Sequence, residues 1–403
     1  MISTPVRVLP PVPVPVPVPA WLAVAALALS GCAGTPTIEQ SCGHPDLGRT
    51  VVVLERGDTT SALATLAGGC FTETPPSLVL GHDNTLLGAE GRAYVGLNEQ
   101  GTLHALDADR PEDPRLGASW EVYRDQPASK LVHGIYGVDL DRAGNLWISR
   151  TEVGSLAIMK PGGALDAVID LSNLDAGDGV PDMNGILVEG DRAYVAVGFL
   201  SYPAAGGYVV TPARAGALVV IDTTTRERLS VIDLRGRNPV HAPVRTGDPN
   251  VVLLPTPGLY DSADASDGID RVWLDGSRET EQLIGEAELG GSVEQLVWAA
   301  DDELYALVLG PEPGINPTRL VRIDPTREAG DRVTVLAEAP HYADPDRPAY
   351  VHVGLALAGD HVVLADQNQD DPRLRVHARA TGEEIAAIPV KIHPPAGLLA
   401  LPP

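Results

Sequence analysis

Three residues of this sequence form a set that could bind a divalent metal ion. His241, Glu294 and His352 stand at equivalent positions in three successive repeats, each at the start of an apolar run. Two imidazoles and one carboxylate suit a divalent transition metal. The other interpretation is the polar lining of a hydrated channel. Because strand side chains alternate, an alignment error of one residue would also turn the whole set away from the channel.

Four more polar residues fall at or beside the same position in other repeats. They are Asp83, Tyr136, Asp182 and Asn184, and we expect them to be candidates for binding a ligand. We expect the protein to bind no cofactor other than, at most, one divalent cation. It would accompany a metal-dependent lactonase or lyase reaction at the mouth of a channel.

These residues meet only if the repeats close into a ring. One short hairpin recurs six times, at residues 78–97, 134–149, 185–198, 241–254, 295–309 and 352–365. Successive copies start about 45 to 60 residues apart, as expected for the blades of a propeller. The best-defined repeat has four runs, 185–188, 192–198, 217–222 and 228–234, separated by Gly, Asp and Thr turns.

The fold prediction is therefore all-β, a single β-propeller of four-stranded blades. Two fragments remain, 50–66 and 396–401, and together they predict a seventh blade whose innermost strand is the C-terminal run. Such closure removes free sheet edges. The count is seven, with six or eight as the alternatives.

The outer strands carry a family resemblance. The segments LVVIDTTTRERLSVIDLRG at Leu218, LVRIDPTREAGDRVTVL at Leu320, TLHALDADRPED at Thr102 and TGEEIAAIPVKIHPPAGLLAL at Thr381 resemble the repeats of YVTN-type bacterial propellers. This resemblance implies the fold and leaves the activity open. The segment PDMNGI at Pro181 is also similar to the Pro-Asn-Gly segment of gluconolactonase-type propellers, which implies a calcium-binding role for Asn184.

The first 31 residues are predicted to be a signal peptide. A nine-residue apolar run, 21–29, is too short to span a bilayer and is followed by Leu29-Ser30-Gly31-Cys32. This motif resembles the lipobox of bacterial lipoproteins, which implies lipidation of Cys32. An ordinary signal peptide with an incidental cysteine is the alternative. The domain prediction is a signal peptide at 1–31, a lipidated tether at 32–49 and the propeller at 50–403, held at the outer membrane and facing either the periplasm or the cell surface.

Cys42 and Cys70 are the two remaining cysteines. In an exported protein an even pair predicts a disulfide. A redox-active or metal-binding thiol pair is the alternative, although the spacing has no CxxC character.

Acidic residues outnumber basic ones, 54 to 29. Phosphate binding depends on clustered Lys and Arg, so this balance argues against a nucleic-acid partner.

Several segments between the second and third strands are long and would lie on one face of the propeller, where they could bind a protein or small ligand. They are 199–215, 255–270 and 310–317, with the polar run 366–372. No GxSxG, HExxH, P-loop or GxGxxG motif is present. The sequence therefore favours a non-catalytic, membrane-anchored binding module, and the lactonase or lyase is its alternative.

Overall fold

A computed structural model describes residues 39–56, 60–73, 80–81, 83–107, 115–126, 134–175, 177–201, 211–258, 266–310, 318–339, 352–368 and 371–402. These residues belong to one compact unit, Thr37–Pro403. The predicted signal peptide and Cys32 lie outside the described residues, so these expectations stay predictions.

The chain forms seven antiparallel sheets arranged as the blades of a β-propeller. The first four strands are β1 (Glu39–Cys42), β2 (Val51–Arg56), β3 (Ser61–Ala67) and β4 (Cys70–Glu73), which belong to blade 7. Blade 1 contains β5 (Asn84–Ala89), β6 (Arg92–Leu97), β7 (Thr102–Asp107) and β8 (Arg115–Glu121). Blade 2 contains β9 (Ile135–Leu140), β10 (Leu146–Arg150), β11 (Ser155–Met159) and β12 (Leu165–Asp170), followed by the short 3-10 helix Ser172–Leu174.

Blade 3 contains β13 (Met183–Glu189) and β14 (Arg192–Val197), a small hairpin of β15 (Leu200–Ser201) and β16 (Thr211–Pro212), then β17 (Ala217–Asp222) and β18 (Arg228–Asp233). Blade 4 contains β19 (Val244–Arg245), β20 (Val251–Thr256), β21 (Gly268–Trp273) and β22 (Glu281–Gly285), followed by α1 (Glu286–Leu289). Blade 5 contains β23 (Ser292–Ala300), β24 (Glu303–Leu309), β25 (Thr318–Ile323) and β26 (Val333–Glu338). Blade 6 contains β27 (His352–Ala358), β28 (His361–Asp366), β29 (Arg373–Ala378) and β30 (Glu384–Pro389), and β31 (Pro395–Ala400) completes blade 7.

The predicted ring closure is confirmed. The C-terminal strand β31 is the innermost strand of blade 7 and pairs with β2, from Val51 opposite Ala400 to Glu55 opposite Pro395. The full strand order of this blade is β1-β4-β3-β2-β31, so it has five strands where four were expected. The fifth strand, β1, lies inside the segment predicted as a tether, so Glu39–Cys42 of that segment joins the sheet.

The Cys42–Cys70 disulfide is also confirmed. Cys42 and Cys70 face each other in the register of β1 and β4, with their Cα atoms 4.1 Å apart. The bond fastens the outermost strand of blade 7 to its neighbour.

The core is divided into seven hydrophobic clusters among the described residues, one between each pair of neighbouring blades. The cluster between blades 2 and 3, for example, includes Trp147, Ile158 and Val195, all fully buried. Because each blade buries both faces against its neighbours, the inner strands read as nearly continuous apolar runs. No helix of the described residues is long and apolar enough to cross a membrane.

Blade 4 departs from the regular pattern, since its innermost strand β19 has only two residues. The preceding segment contains Pro239 and Pro243, which have no N–H to donate to a sheet ladder. The segment still takes the place of a strand. A Cβ on Gly185 in β13 would lie 2.1 Å from the Ala242 backbone nitrogen, so only glycine permits this approach.

Candidate functional site

The propeller has a central cavity on its axis with a volume of about 200 Å³. Side chains from the innermost segments of five blades line it. The apolar members include Leu86, Val138, Val244, Val297 and Leu355. The sequence predicted a polar, hydrated channel, whereas the described lining is largely aliphatic.

Three side chains with polar atoms also line this cavity: Tyr136 in β9, His241 just before β19, and Gln295 in β23. The Gln295 side-chain oxygen accepts a hydrogen bond from the Leu355 backbone N–H at 2.6 Å. The Nε2 atom of His241 is buried and has no hydrogen-bond partner in the part of the chain that the structure describes. A buried polar atom without a partner carries a desolvation cost that a suitable ligand would remove.

Tyr136 lies where the cavity meets the surface, since its side chain is 39% exposed. Its partial burial raises the pKa of the phenol above its usual range, and the charges of Asp83 and Glu152 raise it further, while Arg56 lowers it. The phenol therefore keeps its proton at neutral pH and can donate a hydrogen bond. Arg56 itself reaches from blade 7 to the Asn84 backbone carbonyl in blade 1 at 2.7 Å.

The structure brings some of the predicted ligand-binding residues together. Tyr136 and His241 line the same cavity, and Asp83 lies near Tyr136 at the start of blade 1. Asp182 and Asn184 have other contacts. The Asn184 side-chain amide donates to the Pro239 carbonyl at 2.7 Å and so links blade 3 to the segment before blade 4.

Asp182 is 1% exposed and has a left-handed backbone conformation, with φ at 52°. Its carboxylate accepts a hydrogen bond from the Leu200 N–H at 2.5 Å. Phe199 is also left-handed and buried, and the Arg214 guanidinium lies over its ring at 3.5 Å. These contacts hold the base of the long insert 199–215 against the mouth of the channel. Backbone strain of this kind persists only where the surroundings enforce it.

The predicted metal set is only partly described. His241 lines the cavity, but the lining residues of blade 5 begin at Gln295, one residue after Glu294. The pairing of β23 with β24 shifts register between Val293 and Gln295, which places Glu294 at a bulge. The His352 side chain lies outside the described residues. Within the described ranges no group of three or more His, Cys, Asp or Glu residues could hold a metal ion. The full set of His241, Glu294 and His352 remains a prediction.

Arg245 crosses the other end of the channel. From blade 4 it donates to the Val188 carbonyl of blade 3 at 2.9 Å and to the Asp139 carboxylate of blade 2 at 3.3 Å. It also pairs with Glu189 at 3.2 Å and approaches Glu90 of blade 1 at 3.9 Å. One guanidinium thus joins the innermost segments of blades 1 to 4, at their ends opposite the channel mouth. Burial raises the Asp139 pKa, and Arg245 opposes that rise.

Sequence reasoning missed Gln295 and Arg245. Gln295 was passed over because a bulge displaces it by one position from the repeat register. Arg245 follows a proline-rich segment without a regular strand. The alternation of side chains along a strand therefore could not predict the direction of the Arg245 side chain. The available signal was an isolated arginine directly before the turn that ends the inner segment.

No protein-family model and no curated protein matches this chain. Several solved structures share its fold. They include the periplasmic gluconolactonase PpgL of Pseudomonas aeruginosa, with a TM-score of 0.56 and 14% identity over 88% of this chain and 99% of that one. A mutant of the Synechocystis apocarotenoid oxygenase matches with a TM-score of 0.55 and 12% identity, covering 91% of this chain and 96% of that one. A protein of unknown function from Desulfotomaculum acetoxidans matches with 0.52 and 11%, covering 88% and 99%. At these identities the likeness establishes the β-propeller fold alone.

Proposed function

We propose that this protein is a cell-envelope binding module that takes a small ligand into its central cavity. The observation that carries the proposal is His241, whose buried Nε2 has no partner among the described residues, in a largely aliphatic cavity of about 200 Å³. An engineered cavity of about 150 Å³ suffices to hold benzene. The expected ligand is therefore a compact, mostly apolar molecule with one polar group.

The envelope location is part of this proposal and rests on the sequence. The segment ending in Cys32 resembles the lipobox of bacterial lipoproteins, and the outer strands resemble the repeats of YVTN-type bacterial propellers. A disulfide such as Cys42–Cys70 persists in oxidising compartments. The long segments on the mouth face, such as 199–215, could also receive a protein partner.

The proposal is tested with phenol and toluene, which have the same ring and differ at the polar group. We expect calorimetry to show phenol binding about 2- to 10-fold more tightly, because its hydroxyl can hydrogen-bond to His241. His241→Phe should abolish this preference. Val297→Phe should block both probes by filling the cavity, whereas the matched control Val335→Phe lies on an exposed position of β26 and should bind normally.

Two results would overturn the proposal. One is the absence of binding of either probe to folded wild-type protein. The other is unchanged binding in Val297→Phe, which would place the probes elsewhere.

The second candidate is a metal-dependent lactonase or lyase. The observation that favours it is the same free Nε2 of His241, which could bind a metal or accept a proton. A protein named as a gluconolactonase shares the fold. Gluconolactone hydrolysis, followed with and without added divalent cations, distinguishes the two. Turnover that requires a cation and is lost in His241→Gln would replace the binding module with the enzyme.

A further inference from the structure

A second cavity lies between blades 4 and 5, on the face opposite the channel mouth. Its volume is about 240 Å³, and it shares no lining residue with the central cavity. Trp273 at the end of β21 and Trp298 in β23 supply its aromatic surface, and Asp248 and Asp301 lie in the neighbouring turns. We call it the inter-blade cavity.

The two tryptophans differ from the other described ones. Trp120 donates its indole N–H to the Lys160 carbonyl at 2.9 Å, and Trp147 donates to Asp141 at 3.1 Å. Trp273 and Trp298 are half-buried, and no acceptor for either N–H is found in the described ranges. Tryptophan is enriched where proteins bind partners, because it offers a large apolar face and one donor.

The charges in this cavity are unbalanced. Arg271 is its basic lining residue, and this guanidinium pairs with Glu281 at 2.7 Å. Asp248 and Asp301 form no ion pair with any residue that the structure describes. The Asp248 carboxylate accepts only a local hydrogen bond from the Asn250 N–H at 2.9 Å. Two exposed acidic lining residues are therefore left without an ion-pair partner among the described residues.

A close backbone contact brings these groups together. A Cβ on Gly247 would lie 3.2 Å from an Asp301 carboxylate oxygen and 3.3 Å from the Trp298 ring. The turn that carries Asp248 therefore rests directly on Trp298 and Asp301. The Trp298 indole and the Asp301 carboxylate therefore share one corner of the cavity, next to the turn that carries Asp248.

Indole faces beside carboxylates are the groups that proteins use to bind organic cations. The Arg278 guanidinium lies over the Trp273 ring at 5.3 Å, so the Trp298 indole, beside Asp301, is the aromatic group offered to a ligand. We propose that the inter-blade cavity binds a small organic cation, such as an alkylammonium or quaternary ammonium group. This site is independent of the central cavity and of the function proposed for it.

The test compares choline with 3,3-dimethylbutan-1-ol, a neutral molecule of the same shape. Calorimetry and tryptophan fluorescence should show choline binding about tenfold more tightly than the alcohol. The preference should weaken as salt is added, because the carboxylates are exposed to screening.

Variants locate the site. The double variant Asp248→Asn, Asp301→Asn should lose the preference for choline, and Gly247→Val should lose binding by filling the corner beside Trp298. His241→Phe, which alters the central cavity, should bind choline as the wild type does. Asp331→Asn, in an exposed turn, is the matched control for the loss of an acid.

Each other outcome counts against the proposal. Equal binding of choline and the alcohol would show an apolar site that does not recognise charge. Binding of methyl glucoside in preference to choline would identify a sugar site. Absence of binding by folded wild-type protein, or loss of choline binding in His241→Phe, would remove the inter-blade cavity as a cation site.

Discussion

Glu55 is a single residue with a strong effect on how stability depends on pH. It is fully buried near the end of β2. One of its oxygens has no partner among the residues described, and the other accepts the His393 N–H at 3.2 Å. Glu73, also buried, accepts the N–H groups of Lys391 and Ile392 at 2.6 and 3.1 Å. Two carboxyl groups thus hold the segment that leads into β31.

Burial, and then the charge of Glu73, raise the pKa of Glu55 from 4.5 to about 8. A carboxyl group with a raised pKa in the folded state favours folding most when it is protonated. Its contribution is complete below pH 4.5 and is lost as the pH rises to about 8. We therefore expect the free energy of unfolding to fall across this window by up to about 5 kcal/mol.

Chemical denaturation at a series of pH values measures this slope. Glu55→Gln keeps the shape without the charge and should flatten the profile, whereas Glu227→Gln, in an exposed turn, should leave it unchanged. A wild-type profile that is flat between pH 5 and 8 would contradict the prediction.

Of the individual residues of the candidate site, the sequence predicted only some. Tyr136 and His241 could be found because repeat alignment places them at the start of inner segments. Glu294 and Gln295 could not be told apart, because a bulge shifts the register by one residue and no local pattern marks the bulge. The hydrogen bond from the Leu200 N–H to the Asp182 carboxylate joins two separate parts of the chain. The residues next to Asp182 in the sequence therefore could not predict it.

The strands were predicted more reliably than the individual side chains. Five of the six inner hairpins occur where the repeated apolar runs and turns placed them, and the sixth, in blade 4, has a shortened first strand. Alternation and turn chemistry are local signals, which is why they could be recognised. The short β19 and the extra strand β1 were not foreseen. Proline interrupts the first, and the second forms through pairing with β4 at a distance along the chain.

The pairing of β1 with β4 yields a prediction about the disulfide. Cys42 and Cys70 close a loop with a sequence separation of 28 residues, and the chain-entropy estimate for such a loop is about 3 to 4 kcal/mol. The double variant Cys42→Ser, Cys70→Ser should lower the free energy of unfolding by up to that amount, because the unfolded chain gains freedom.

Thermal and chemical denaturation measure the loss. Adding a reductant should destabilise the wild type to the same extent and should not affect the double variant. An unchanged melting temperature in the double variant would show that β1 contributes nothing to the stability of blade 7.

For the molecule as a whole, the prediction concerns its attachment to the membrane. Cys32 is expected to carry the lipid, so Cys32→Ser should move the protein from the membrane fraction to the soluble fraction of the producing bacterium. Incorporation of an alkyne-labelled fatty acid measures the modification directly. The Cys42→Ser, Cys70→Ser variant should still be labelled, and a labelled Cys32→Ser protein would disprove the assignment.

The contacts of Arg245 have a kinetic consequence for the central cavity. This residue joins the lower ends of blades 1 to 4, opposite the side where Tyr136 is exposed. We expect a ligand bound beside His241 to arrive and depart by the route on the side where Tyr136 is exposed. Its residence time would be set by whatever covers that route. A partner docked on the mouth face could trap the ligand without touching it, and so act on the dissociation rate alone.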